Sequence, residues 1–144
     1  MDYNKLLDFL TEVDTLFPVT LSKKQNLEQY AKKLIEHGYI CAEEKEGKII
    51  SLAAGYLNRD PGYLSIAATI PEEQGKGLGK KLVVGFLDEA KKRGISSVHL
   101  YAVPSNKPAM KMYKDIGFVP WDIEKEPRPS DAHLIYRISK ADRA

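Results

Sequence analysis

Apolar residues recur at helical spacing from the start of the chain. Leu6, Leu7, Leu10, Val13 and Leu16-Phe17 form one stripe, and Pro18 ends it. Ser22 with Gln25 has the pattern of a capping box. It predicts a second helix carrying Leu27, Tyr30, Ala31, Leu34 and Ile35, with Gly38 at its C′ position. The spacing then changes. Residues 39–45 and 48–57 read as strands joined at Glu46-Gly47, a hairpin signal. Residues 58–62 are rich in turn formers, and 63–70 read as a third strand ended by Pro71. A helical stripe returns with Leu78, Leu82, Val83, Phe86, Leu87 and Ala90, closed by Gly94. Residues 97–103 predict a strand. Ala109, Met112, Tyr113 and Ile116 predict a shorter helix ending at Gly117. Residues 118–123 and 133–138 predict the last two strands, with a loop over 124–132 that holds Pro127 and Pro129. The order points to an α/β (α+β) chain with a mixed sheet and helices on both faces.

Composition narrows the function classes. A chain of 144 residues fits one domain, 1–144, and 43% apolar with 29% charged residues supports a packed core rather than disorder. A net charge of +2 gives no sign of a nucleic-acid partner. One cysteine, Cys41, allows no intrachain disulfide. The start of the chain lacks the layout of a signal peptide, and the longest stretch without Asp, Glu, Lys or Arg, residues 94–106, is too short and too polar to span a membrane. A soluble cytoplasmic protein is the expectation. The three histidines, His37, His99 and His133, show no ligand spacing, so no metal is expected.

One segment carries recognisable chemistry. Gln74-Gly75-Lys76-Gly77-Leu78-Gly79 lies between a predicted strand and a predicted helix. Three glycines in five residues are costly at a helix start unless the backbone needs their freedom. A loop whose amides converge on one anion is such a use, and the helix behind it adds its positive end. Lys76, Lys80 and Lys81 bring further positive charge. The dinucleotide fingerprint is not met, because the third glycine comes one residue early. The nucleoside-triphosphate loop fails at Gln74 and Lys81.

Downstream stand Asn106, Ala109, Tyr113 and Gly117-Phe118. Residues 63–79 together with 106–118 resemble the GNAT family, the Gcn5-related N-acetyltransferases. By element order the resemblance extends over about 39–138. It implies a mostly antiparallel sheet of about six strands and acetyl-CoA as co-substrate. The pantetheine arm would lie along Ala68, Thr69 and Ile70, at a strand that splays from its neighbour and frees backbone groups near Ala68 and Ile70. Small residues Ala67 and Ala68 would admit it closely. The pyrophosphate would rest on Gln74, Gly75, Lys76, Gly77, Leu78, Gly79 and Lys80. Asn106 would bond the cofactor or cap its helix, and Tyr113 would protonate the leaving thiolate. Gln74 stands where many members have Arg. The strand that usually precedes the first helix has no counterpart in the pattern.

The general base stays open among His99, Glu72, Glu73 and a water relay. One is needed, since an alkylammonium of pKa about 10.4 is only about one part in two thousand neutral at pH 7. Ribosomal-protein alanine acetyltransferases, a close branch, carry Glu where this chain has Tyr101, which counts against that substrate. The resemblance places the acceptor between residues 18–24 and 124–132, segments of mixed charge that hold Lys23, Lys24, Glu124, Lys125, Glu126, Arg128 and Asp131. Trp121 either lines that cleft or packs beneath it. The expected partner is the primary amine of a small molecule: an amine, an amino sugar or an amino acid derivative. The alternatives are a protein N-terminus or lysine, or a non-catalytic acyl-CoA-sensing module. A homodimer is compatible with either.

Overall fold

The computed structural model describes residues 1–17, 20–123, 125–128 and 130–143, and the backbone alone at residue 24. Its centre is the run Ile49-Ile50-Ser51-Leu52-Ala53-Ala54-Gly55-Tyr56, buried at every position. Such a run suits a strand covered on both faces. This strand, β2 (Lys48–Tyr56), pairs antiparallel with β1 (Tyr39–Lys45) and β3 (Gly62–Thr69). Beyond β3 lie β4 (Ser97–Ala102), β6 (Ala132–Arg137) and β5 (Val119–Pro120), giving a six-stranded sheet in the order β1-β2-β3-β4-β6-β5. Only β3 and β4 run parallel. The mixed, mostly antiparallel sheet expected from the sequence is therefore present.

Helices cover both faces. On one side α4 (Leu78–Lys92) and α5 (Lys107–Ile116) bury Leu82, Val83, Phe86, Leu87 and Tyr113 against Val98, Leu100 and Leu134. On the other, α1 (Tyr3–Val13) and α3 (Leu27–His37) bury Leu6, Phe9, Leu10, Tyr30 and Leu34 against Ile50, Leu52 and Ile66. Among the described residues no helix is long and apolar enough to cross a membrane.

The boundaries correct several expectations. α1 stops at Val13, followed by a 3-10 turn over Asp14–Leu16, and Leu16 is exposed. Pro18, expected to end that stripe, lies outside the described residues. Ser22 does not cap α3. It sits in the four-residue helix α2 (Leu21–Lys24), and the Asp14 carboxylate takes both its amide (2.8 Å) and its hydroxyl (2.7 Å). Asn26 caps α3 instead, accepting the Gln29 amide at 3.0 Å. Gly38 ends α3 by donating to Leu34 O at 2.8 Å, with a negative φ of −96°, and is not left-handed. The expected strand at 118–123 shrinks to Val119–Pro120, with one further hydrogen bond from Trp121 N–H to His133 O at 2.8 Å. No strand precedes α1 among the described residues.

The feature that matters for function is a divergence. β3 and β4 pair only at Gly62↔Val98 and Tyr63↔His99. Past that point the two strands separate, and an opening runs through the middle of the sheet.

Candidate active site

Two cavities meet at this opening. The larger, about 750 Å³, runs over Ala67, Ala68 and Thr69 to the glycine loop and the start of α4, with Asn106, Ala109 and Met112 opposite. Gly75 and Gly77 adopt φ of +81° and +78°, and a Cβ on either would meet nothing within 4 Å. Their freedom therefore serves backbone direction and not packing. Gly77 caps α4 without a side-chain acceptor, and the first intrahelical bond is Lys81 N–H to Gly77 O at 3.1 Å. The amides of Leu78, Gly79 and Lys80 are left to outside partners at the positive end of a 15-residue helix. These residues fit a diphosphate.

The lysines contribute unequally. Lys76 is paired with Glu73 at 2.8 Å, and Lys81 lies 3.6 Å from Glu43. Lys80 alone of the three lines the cavity. Gln74 folds back to donate to Thr69 O at 3.1 Å.

Strand register fixes which backbone groups face the opening. Ile70 N–H donates to Ile50 O at 3.0 Å, so Ile70 turns its amide to β2. Alternation along an antiparallel strand turns Ala68 the same way and directs Ala67 and Thr69 outward. The free groups expected near Ala68 and Ile70 thus shift by one residue. Glu73 and Glu72 do not suit a base. The Glu73 carboxylate is held by Lys76 and, at 3.2 Å, by Lys45, and these hydrogen bonds keep its pKa below the usual range. Glu72 is exposed on the turn beyond β3.

The smaller cavity, about 320 Å³, lies on the α3 side of the opening. Ala67, Asn106 and Ala109 line both cavities, and Tyr113 lines the smaller one. Tyr113 is 8% exposed, and burial pushes its phenol up to about 12. It is held firmly: its ring packs edge-on to Phe118 at 5.6 Å, and the chain reversal at Gly117-Phe118 closes on its carbonyl. Asn106 Oδ1 accepts the Ala109 amide at 3.3 Å as the α5 cap, which leaves its amide nitrogen as a donor to the cavities.

Both segments expected to frame the acceptor contribute to the smaller cavity, through Leu21 from one and through Arg128 and Asp131 from the other. Glu124 and Pro129 lie outside the described residues. The pattern did not single out Tyr30, Lys33, Tyr56, Tyr63 and Ser65 as wall residues. Their only sequence signal is a density of tyrosines on strands and on the buried face of a helix. Trp121 packs against His133 (4.7 Å between ring centres) and His99 (5.5 Å) and does not line the cavity.

His99 belongs to a chain of polar side chains beside Tyr101. Glu126 Oε2 lies 2.9 Å from His133 Nδ1, and His133 Nε2 lies 2.9 Å from His99 Nδ1. With the carboxylate ionised, His133 donates to Glu126 and accepts from His99, which leaves the His99 Nε2 lone pair unprotonated. Burial, with help from His133 and Arg59, lowers the His99 pKa to about 4. His99 is therefore neutral at pH 7 but a weak base. Among the described residues no three His, Cys, Asp or Glu side chains cluster as a metal site.

Comparison with known proteins agrees with this geometry. The model of the Acetyltransferase (GNAT) family matches residues 6–118. A mycothiol acetyltransferase of Renibacterium salmoninarum is 38% identical over 93 residues, which cover 60% of this chain and 28% of that protein. One from Nocardiopsis dassonvillei is 30% identical over 96 residues, 60% of this chain and 29% of that protein. The chain spans less than a third of the length of these relatives. Among solved structures, PaiA N-acetyltransferase from Thermoplasma acidophilum in complex with coenzyme A superposes with a TM-score of 0.77 at 17% identity, over 95% of this chain and 93% of that one. Ard1 from Thermoplasma volcanium gives 0.76 at 15% identity, over 96% and 95%. At these identities the likeness is one of fold.

Proposed function

The chain belongs to the GNAT family of acetyltransferases, and from that premise we propose that residues 1–144 form one domain that transfers an acetyl group from acetyl-CoA to the primary amine of a small molecule. The observation that carries this reading is the meeting of the two cavities. A cleft walled by backbone amides and a polar chamber share Phe17, Ala67, Asn106 and Ala109, and Tyr113 lines the chamber one helical turn beyond Ala109. The chamber, at about 320 Å³, has the size of a small acceptor. The name mycothiol acetyltransferase, carried by the relatives, points to a small-molecule acceptor as well. The reaction is assigned to the cytoplasm, where acetyl-CoA is available.

Acetyl-CoA supplies a thioester whose acetyl group passes to the amine and whose sulfur leaves as a thiol. The amides of residues 75–80 hold its diphosphate, with Lys80 adding charge. The outward groups of Ala67 and Thr69 pair with the amides of the arm, and an outward N–H there faces the carbonyl oxygen as negative charge builds on it. Tyr113 gives its proton to the departing sulfur, and the phenolate left behind takes one back, through water, from the nitrogen as the amide forms. A phenol at about 12 keeps its proton throughout the working range, so it enters as a donor. The thiol is a stronger acid in water, with a pKa of about 8.5. Dry surroundings raise it too, which brings donor and acceptor closer. Proton removal from the ammonium falls to water held in the polar chamber, since Glu73 is committed to two lysines and His99 is a weak base.

The test is release of free thiol from acetyl-CoA across a panel of small amines, with amino-terminal and lysine peptides alongside. Turnover confined to small amines supports the reading. Turnover of peptides alone moves the acceptor to proteins. Saturable binding of acetyl-CoA without thiol release from any amine makes the chain an acyl-CoA sensor.

A further inference from the structure

The rim of the smaller cavity carries two cations mounted on aromatic walls. Lys33 Nζ lies 5.0 Å from the centre of the Tyr56 ring, and the Arg128 guanidinium lies 4.6 Å from the centre of the Tyr101 ring. All four residues line the cavity. Among the described residues, neither cation has a carboxylate within 4.0 Å, whereas eight other lysines and arginines do. The Tyr56 ring that seats Lys33 is 8% exposed, and its hydroxyl is buried with no hydrogen-bond partner. A buried hydroxyl without an acceptor is uncommon in a folded chain. Tyr30 differs, because its hydroxyl is shared with Ser65. Cations seated on aromatic faces are oriented before any ligand arrives.

We propose that Lys33 and Arg128, held on the Tyr56 and Tyr101 rings, bind a carboxylate on the acceptor, so that the acceptor is a small amino acid or aminoacyl compound whose amine reaches the Tyr113 end of the cavity. The proposal rests on the reading that this cavity takes the acceptor. Charge selects the class. Two cations against the single acidic group of the cavity wall, Asp131, leave one net positive charge. That balances a carboxylate and falls short of a phosphate dianion. Geometry agrees, because the planar guanidinium offers the paired donors that a carboxylate accepts.

The experiment compares amino acids with their carboxamides as acceptors, reading thiol release from acetyl-CoA. The wild-type chain is expected to favour the acids by about tenfold or more in kcat/KM, the scale of one charge-assisted contact. Lys33→Ala and Arg128→Ala each collapse that ratio towards one, chiefly through KM for the acids. Lys33→Glu inverts it, which separates a loss of binding charge from a loss of fold. Equal turnover of acids and amides by the wild-type chain overturns the carboxylate rim while leaving the acetyltransferase reading intact. So does a ratio that all three variants leave unchanged. Thiol release from no amine of either kind overturns both.

Discussion

The two cavities that share Ala67, Asn106 and Ala109 are built by different means. The cofactor cleft is made largely of backbone: two left-handed glycines, the uncapped start of α4 and the outward groups of β3, all within residues 67–80. The smaller chamber is made of side chains brought together from the α2 segment, α3, β2, β3, β4, α5 and the segment before β6, positions 17 to 131 in the chain. A backbone site needs particular residues at neighbouring positions, so it leaves a local mark in the sequence. A side-chain site needs only that distant positions converge, and its residues can change without disturbing the fold. On the proposed reading, the first site constrains the cofactor and the second selects the acceptor.

The sharpest way to break this division is at the junction. Tyr113→Phe keeps the packed ring and removes the donor. It should lower kcat by roughly 10²–10⁴, the range for a positioned acid, with acetyl-CoA affinity little changed. Steady-state kinetics at saturating acceptor would show a normal kcat if the phenol had no such role. Next in size, Gly77→Ala forces a side chain onto φ +78°. It should cost about 1–2 kcal/mol in urea unfolding and raise KM for acetyl-CoA severalfold, leaving KM for the acceptor alone. A matching rise in acceptor KM would erase the distinction between the sites. Asn106→Ala removes the α5 cap at about 1 kcal/mol. Because Asn106 lines both cavities, it should raise both KM values, unlike Gly77→Ala.

The smallest effect concerns pH. His99 has a folded pKa of about 4 against 6.5 in the unfolded chain, lowered by burial first and by His133 and Arg59 after it. The unfolded state binds more protons between these values, so stability attributed to His99 is present above about 6.5 and declines as pH falls towards 4. Thermal melts should show a Tm lower by a few degrees at pH 4.5 than at pH 7, beyond the decline in a His99→Gln variant. Parallel profiles for the two proteins would contradict the neutral, buried imidazole.

The element order was legible because hydrophobic period separates helix from strand, as in the run 48–57 and the stripe from Leu78 to Ala90. The glycine loop was legible for the reason given above. Boundaries set by single tertiary contacts were not. Ser22 has the look of a cap until Asp14 claims its amide and hydroxyl. The final strand pair stops at Pro120 although apolar residues continue to Ile123, and no local pattern marks that end. The shift from Ala68 and Ile70 to Ala67 and Thr69 depends on the register of β3 against β2, which no local pattern encodes. The Glu126–His133–His99 chain joins residues that only the β4–β6 pairing brings together. Lys33 reads in the sequence as one more solvated helix charge, and its place at the cavity rim follows from how α3 lies on the sheet.

The most direct test of the whole account is a crystal structure of the chain with bound coenzyme A. The diphosphate oxygens are expected within about 2.7–3.2 Å of amide nitrogens in the stretch 75–80, and the sulfur within hydrogen-bond reach of the Tyr113 hydroxyl, about 3–4 Å. A diphosphate seated away from that stretch, or a sulfur pointing out of the junction between the two cavities, would contradict it.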